Sequence, residues 1–135
     1  MRLVVDTNVF ISAALKDSSW PAHTIRWLSK YDGLLKSTAV EDELFAVLRR
    51  PRFADKITAV FLEEVRRIFA TAEQVAISER IALCRDPEDD KFIELAVNGR
   101  ADLIISGDAD LLGLDSVRDI PIVTPAAFVR AGIRT

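Results

Sequence analysis

The chain has 135 residues, 50% of them hydrophobic and 29% charged, and this balance predicts one folded domain spanning residues 1–135. Its net charge of −3 at pH 7 excludes the uniformly basic surface with which proteins coat duplex DNA. The single cysteine, Cys84, excludes an internal disulfide and a cysteine-rich zinc site, and the lack of a long apolar run or a signal-peptide pattern predicts a cytoplasmic protein with no membrane span.

Short apolar strands alternate with amphipathic helices in the first half of the chain. The strand predicted over 2–5 contains the continuous apolar run 3–5 with two β-branched valines, which is typical of a strand buried on both faces. Pro51 predicts the end of one helix, and Thr58 predicts the N-cap of the next. The predicted strands are 2–5, 33–37 and 74–77, and the predicted helices are 22–31, 38–50 and 58–72.

The second half continues the alternation of helices and strands. Asp86 followed by Pro87 predicts the start of a helix, and Gly99 predicts its end. The predicted elements are a helix over 87–98, a strand over 103–105, a short strand within 120–125 and a helix over 125–132. Helices that alternate with short apolar strands predict an α/β fold with a parallel sheet.

Two acids follow predicted strands of this sheet. Asp6 comes directly after the apolar run 3–5, and Asp108 stands shortly after the run 103–105. A carboxylate at the end of a buried strand is costly unless it has a partner. Because ligands of parallel α/β sheets bind beyond the carboxyl ends of the strands, we expect both acids to lie at one ligand-binding edge.

Helix 38–50 carries three consecutive acids, Glu41, Asp42 and Glu43. Helical spacing turns Asp42 away from the apolar stripe and places the two glutamates on either side of that stripe. The spacing alone therefore does not choose between Glu41 and Glu43.

The helix over 87–98 offers a second set of acids. Asp89 lies on the same face as Phe92 and Ala96, so we expect its carboxylate to point toward the sheet. Asp90 lies at the edge of that stripe and is the alternative ligand if the register differs by one residue. Asp86 is expected to cap the helix.

Each acid taken alone has a simpler explanation as a cap, a turn residue or a surface residue. The predicted convergence of Asp6, Asp89 and Asp108 favours a functional site instead, because like charges brought together oppose folding. A divalent cation resolves that conflict. Oxygen ligands without His or Cys suit Mg²⁺ or Mn²⁺ rather than zinc.

Four stretches resemble the motifs of the PIN domain, and they occur in the same order as in that family: VVDTN at the N-terminus, EL..VL at 43–48, DPEDDKFIELA at 86–96 and IISGDADLL at 104–112. The likeness is greatest to the VapC-like toxins of toxin–antitoxin pairs. It implies a three-layer α/β/α domain with a central parallel sheet and a metal-dependent ribonuclease site. By motif position, it implies the catalytic residues Asp6, Glu43, Asp89 and Asp108, the metal ligands Asp6, Asp89, Asp108 and Asp110, and the supporting polar residues Asn8 and Ser106.

The function that we predict is cleavage of single-stranded or looped RNA with Mg²⁺ or Mn²⁺. The resemblance implies a cognate antitoxin and a homodimer, and the alternative is a catalytically silent PIN module that binds RNA or a protein. Other enzyme classes fit poorly, because Asn8 stands where an aspartyl-phosphate phosphatase needs a second Asp, and His23 is the only histidine available to a serine or cysteine hydrolase. Four basic residues are candidates for phosphate contacts: Arg49, Arg50, Arg52 and Lys56.

Overall fold

The computed structural model describes residues 1–132, which contain eight α-helices, six short strands and one 3₁₀ turn, Pro87–Asp89. The strands are β1 (Leu3–Val5), β2 (Leu35–Lys36), β3 (Glu73–Gln74), β4 (Leu103–Ile105), β5 (Ser116–Val117) and β6 (Ile120–Val123). The helices are α1 (Thr7–Leu15), α2 (Trp20–Lys30), α3 (Thr38–Leu48), α4 (Pro51–Ala54), α5 (Ala59–Thr71), α6 (Asp90–Gly99), α7 (Ala109–Gly113) and α8 (Pro125–Arg130). None of the helices within residues 1–132 is long and apolar enough to cross a membrane.

The central sheet has the strand order β1-β4-β6-β5. β1, β4 and β6 are parallel, and β5 pairs antiparallel with β6 at the edge. β2 and β3 form a separate parallel pair, which a bridge between Leu3 and Leu34 joins to β1. The predicted parallel sheet is therefore confirmed, with one short antiparallel strand that the sequence reading did not include.

Helices cover both faces of the sheet, as the alternation of side chains along β1 shows. Leu3 and Val5 belong to a core cluster built with residues of α1, α2, α3, α5 and α8. Val4 belongs to a second cluster, in which α6 contributes the most helical residues and α7 contributes Leu111. Burial on both faces explains why residues 3–5 are continuously apolar rather than alternating. The predicted three-layer α/β/α arrangement is thus confirmed.

Several elements differ from the sequence prediction. α1 was not predicted, because Thr7 and Asn8 resemble a polar loop after the strand, whereas Asp6 caps a helix that starts at once. α7 and β5 were also missed, and in place of the strand predicted over 74–77 the structure has a strand at Glu73–Gln74, which shares only Gln74 with the prediction. The helix predicted over 87–98 begins as the 3₁₀ turn and becomes α-helical only at Asp90.

Gly99 is the last residue of α6, but it does not supply the backbone conformation that ends the helix. The residue with a left-handed backbone is Arg100, with φ of 52°, and not the glycine. A Cβ atom on Gly99 would lie 2.8 Å from Leu35 Cδ1 and 3.1 Å from Val75 Cγ2. The close packing of α6 against β2 therefore favours glycine at this position, and a positive φ does not.

Candidate active site

The ends of β1 and β4 bring Asp6 and Asp108 to one edge of the sheet, and the Ser106 hydroxyl joins them. The Asp6 N–H donates to the Ile105 carbonyl at 3.0 Å, which continues the pairing of the two strands. Ser106 Oγ donates to Asp6 Oδ2 at 2.7 Å and accepts from the Asp108 N–H at 2.9 Å. Ser106 is fully buried, so this hydroxyl fixes the two acidic segments against each other.

Asp6 is 3% exposed and is held by donors on both of its oxygens. Its Oδ1 accepts from the Asn8 N–H at 3.1 Å and caps α1, while Oδ2 accepts from Ser106. Burial raises the pKa of Asp6 despite these hydrogen bonds, and the charges of Asp108 and Glu43 raise it further. Ionised Asp6 is thus costly in the folded protein until a positive charge approaches.

Asp108 is half-buried and caps α7, because its Oδ2 accepts from the Leu111 N–H at 3.0 Å. Within residues 1–132 its Oδ1 has no hydrogen-bond partner, so it is available to a ligand. Asp110, the further metal ligand that the sequence analysis proposed, is exposed and has its Oδ1 4.0 Å from Arg85 Nη1. The structure therefore brings Asp108 to Asp6 but turns Asp110 toward an arginine.

The 3₁₀ turn carries Asp89, whose carboxyl group is influenced by the charges of Asp6 and Asp108. Burial, followed by the charges of Asp108, Asp6 and Asp86, raises the pKa of Asp89 to about 6, against a small opposing effect of Lys91. Among the described residues its carboxylate accepts no hydrogen bond. Asp89 is thus an acid without a hydrogen bond at its carboxylate among the described residues, and it lies near enough to Asp6 and Asp108 for their charges to raise its pKa further.

The neighbouring acids of DPEDD have structural partners. Asp90 Oδ1 accepts from the N–H groups of Cys84 at 2.7 Å and Leu83 at 3.1 Å. Burial disfavours the ionised form of Asp90, but these hydrogen bonds outweigh it and lower the pKa. Asp86 Oδ1 accepts from the Glu88 N–H at 3.0 Å and caps the 3₁₀ turn. The geometry therefore supports Asp89 over Asp90 as the functional acid.

Glu43 reaches the site from the middle of α3. Its Oε2 accepts from Thr7 Oγ1 at 2.6 Å, and its Oε1 accepts from Lys91 Nζ at 2.7 Å. Glu41 is instead 3.3 Å from Lys36 Nζ, and Asp42 is exposed. Of the three consecutive acids on α3, Glu43 is the one that the structure places beside Asp6.

Lys91 and Thr7 are site residues that the sequence analysis missed. The Lys91 side chain is only 15% exposed, and its ammonium lies between Glu43 and Glu88, at 2.7 and 3.2 Å. Burial alone would lower the pKa of Lys91, but its hydrogen bonds and the charges of both glutamates raise it, so the ammonium stays protonated. A lysine after two aspartates looks like a solvated residue, and only the fold shows that it turns inward.

Hard oxygen donors make this site chemically suited to a divalent cation. Within residues 1–132, however, no three His, Cys, Asp or Glu side chains stand close enough together to form a ready-made metal site. Cys84 is not a competing soft ligand, because burial and then the neighbouring carboxylates raise its pKa to about 12 and keep the thiol protonated. The donors fit such a cation in chemistry and charge, and its binding requires the carboxylates to move closer together.

Comparison with known proteins identifies the family. A family model described as "PIN domain" matches residues 2–110, which is most of the chain and includes all the acids discussed above. The chain belongs to the PIN domain family. This membership agrees with the motifs VVDTN, DPEDDKFIELA and IISGDADLL, and the matched range ends at Asp110.

Two relatives of this PIN domain show how far the likeness extends. An uncharacterized protein of Methanocaldococcus jannaschii, MJ1680, is 28% identical over 123 residues, covering 84% of this chain and 75% of the relative. A chain in the crystal structure of VapBC2 from Rickettsia felis, bound to a DNA fragment from its promoter, matches with a TM-score of 0.59 over 92% of this chain and 98% of the other. The sequence identity to that chain is 12%, so the likeness shows a shared fold.

Proposed function

We propose that this PIN domain is a divalent-cation-dependent endoribonuclease that cleaves single-stranded or looped RNA. The observation that carries the proposal is that Ser106 joins Asp6 to Asp108 at one edge of the sheet, and that burial and the charges of both acids raise the pKa of Asp89. Acids whose pKa values are raised by burial and by neighbouring charges occur often at functional sites. A scissile phosphate in a flexible single strand can reach a small recessed site of this kind, whereas a duplex backbone is held away from it.

Asp6, Asp89 and Asp108 are the residues that would hold Mg²⁺ or Mn²⁺. When bound, such a cation lowers the pKa of a water ligand and offsets negative charge on the phosphate. Ser106 fixes Asp6 relative to Asp108, and Asn8 supports Asp6 through its N–H.

Glu43 is the residue that we assign to orienting the attacking water and receiving its proton. Thr7 and Lys91 hold both of its oxygens in place, so its carboxylate keeps one direction relative to Asp6. The ammonium of Lys91 also places a positive charge 2.7 Å from the Glu43 carboxylate, beside the position that we assign to the attacking water. Asp110 would join this site only after leaving Arg85.

The proposed biological role is that of a toxin restrained by a cognate antitoxin in the cytoplasm. The VapC-like fold supports this role, although the matched complex describes only its own partner and promoter DNA. A homodimer is also proposed. The aromatic residues of α3 and α5 contribute mainly to the core and not to an interface: Phe69 is 2% exposed and packs on Phe45, and Phe61 is partly buried. Gene neighbourhood and analytical ultracentrifugation test the antitoxin and the dimer respectively.

Cleavage of a 5′-labelled single-stranded RNA tests the enzyme. We expect products with Mn²⁺ or Mg²⁺, none with EDTA, and none from Asp6→Asn. The matched control is Asp42→Asn, an exposed acid on the same helix as Glu43, which should cleave like the wild type. RNA binding without cleavage under every cation tested would contradict the nuclease and favour a silent PIN module.

A further inference from the structure

A cleft of about 410 Å³ opens beside the acidic edge of the sheet. It lies where α1, α2, α7 and α8 begin, and Asp108 belongs both to its wall and to the carboxylate group. Side chains of different chemistry complete the wall: Asn8, Ser12, Trp20, Thr124 and Pro125. A molecule bound at the carboxylates therefore has direct access to this cleft.

Trp20 provides an exposed aromatic surface in the cleft. The residue is 40% exposed although it is large and apolar, so water contacts a ring that folding would otherwise bury. The guanidinium of Arg130 lies 4.9 Å from the ring centroid, and the His23 ring lies 6.0 Å away. Trp20 is the first residue of α2 and precedes Pro21, so the helix start and the stacked arginine together limit its movement.

Asn8 and Ser12 supply polar groups on the facing wall. They lie four residues apart on α1, and therefore on one face of that helix. Both are exposed, and within residues 1–132 neither side chain makes a hydrogen bond. An amide and a hydroxyl that are free to donate and accept are the groups with which proteins read the edge of an unpaired base.

We propose that this cleft binds one unpaired nucleobase of the RNA, stacked on Trp20 and contacted at its edge by Asn8 and Ser12. The inference rests on the proposed nuclease function, since the base belongs to a nucleotide next to the phosphate held at Asp108. Arg130 adds a positive charge behind the ring, which offsets the acids as the backbone approaches. Because an aromatic ring stacks on any base, Trp20 would contribute affinity for every base, and Asn8 and Ser12 would determine which base is preferred.

The test is a double-mutant cycle, in which the Trp20 ring is removed from the protein and one base is removed from the RNA. Wild-type protein and Trp20→Ala are titrated in EDTA with a fluorescent single-stranded RNA of eight nucleotides, and with versions of it that carry one abasic nucleotide. We expect Trp20→Ala to weaken binding of the intact RNA about tenfold. When the abasic nucleotide occupies the cleft, the affinity of the wild type should also fall about tenfold. The affinity of Trp20→Ala for that RNA should be no lower than its affinity for the intact RNA. Trp20→Phe, which keeps a stacking surface, should stay within about threefold of the wild type.

Two further measurements separate this inference from the proposed function. Ser12→Ala should change the preferred base and leave Mn²⁺ binding unchanged. RNA binding that depends on Trp20 in a protein that never cleaves RNA would support the cleft and contradict the nuclease. Cleavage and binding unaffected by Trp20→Ala would overturn the cleft and leave the nuclease standing. A dimer that dissociates in Trp20→Ala, with RNA affinity unchanged, would assign Trp20 to a protein interface and also overturn the inference.

Discussion

Asp89 combines a raised pKa with the absence of any hydrogen bond to its carboxylate among the described residues. Its folded pKa of about 6 exceeds the ordinary value of an aspartate, so the folded state favours the protonated form. The stability that this preference contributes is fully present below the unfolded pKa and is lost as the pH rises through 6. At neutral pH the metal-free protein therefore carries a cost that a neutral side chain would remove.

Asp89→Asn should consequently stabilise the metal-free protein at pH 7.5. We expect a rise of roughly 2–4 °C in melting temperature, which corresponds to about 1 kcal/mol after allowance for the partial exposure of Asp89. The difference should shrink as the pH is lowered toward 5, because wild-type Asp89 then takes up its proton. Thermal unfolding in EDTA, followed by circular dichroism, measures it, with Asp42→Asn as the exposed control. A destabilised Asp89→Asn at pH 7.5 would mean that the carboxylate has a structural partner.

Lys91 is the one cation that the described structure places against Glu43, at 2.7 Å. Lys91→Met should release Glu43 and increase the negative charge near Asp6, so we expect tighter Mn²⁺ binding together with slower RNA cleavage. Isothermal titration calorimetry measures the first effect and single-turnover cleavage the second. Lys91→Arg keeps the charge and is the matched control for affinity. Unchanged affinity and rate in Lys91→Met would exclude the positioning role.

At the scale of elements, the strands were easier to predict than the turns that carry the site. The apolar runs of β1 and β4 show where two carboxylates must follow a strand, and parallel pairing then brings Asp6 near Asp108. The sequence did not show that Asp6 both ends β1 and caps α1, since a strand and a helix that share one boundary residue leave no loop to recognise. Lys91 was missed because its direction depends on α3 lying across from α6.

The segment DPEDD concentrates three different roles in five residues, and substitutions should separate them. Asp89→Ala should abolish cation-dependent cleavage, because among the described residues the Asp89 carboxylate accepts no hydrogen bond and lies within reach of the charges of Asp6 and Asp108. Asp90→Ala should retain cleavage but lose about 1–3 kcal/mol of stability, since the N–H groups of Cys84 and Leu83 lose their acceptor. Asp86→Ala should lower the free energy of unfolding by about 1 kcal/mol, because it removes the N-cap.

Urea unfolding and RNA cleavage of the same three variants provide the measurement. Comparable stability in Asp90→Ala and wild type would show that the loop at 83–84 does not depend on this carboxylate. An inactive but stable Asp90→Ala, beside an active Asp89→Ala, would move the functional acid by one residue and leave the rest of the site unchanged.

At the scale of the whole molecule, two cores on opposite faces of one sheet support an edge whose charges oppose folding. Both layers were predictable, because continuous apolar strands require helices on each face. The positions of the carboxylates at the site were harder to predict from the sequence. They depend on hydrogen bonds such as that from Ser106 to Asp6, which the spacing of residues along the sequence does not show. The acids Asp6, Asp89 and Asp108 belong to three different segments, so a ligand shared among them couples distant parts of the chain.

Divalent cations should therefore raise the stability of the entire fold. A cation that binds the folded chain and ignores the unfolded one stabilises by mass action, by about 2.7 kcal/mol when its concentration is 100 times the dissociation constant. We expect millimolar Mn²⁺ or Mg²⁺ to raise the melting temperature of wild type by several degrees, and EDTA to reverse the rise. Asp6→Asn should show a much smaller response, while Asp42→Asn responds like wild type. An equal rise in Asp6→Asn would place the cation elsewhere on the surface, and no rise in wild type, with no heat of binding by calorimetry, would remove the metal site from the proposal.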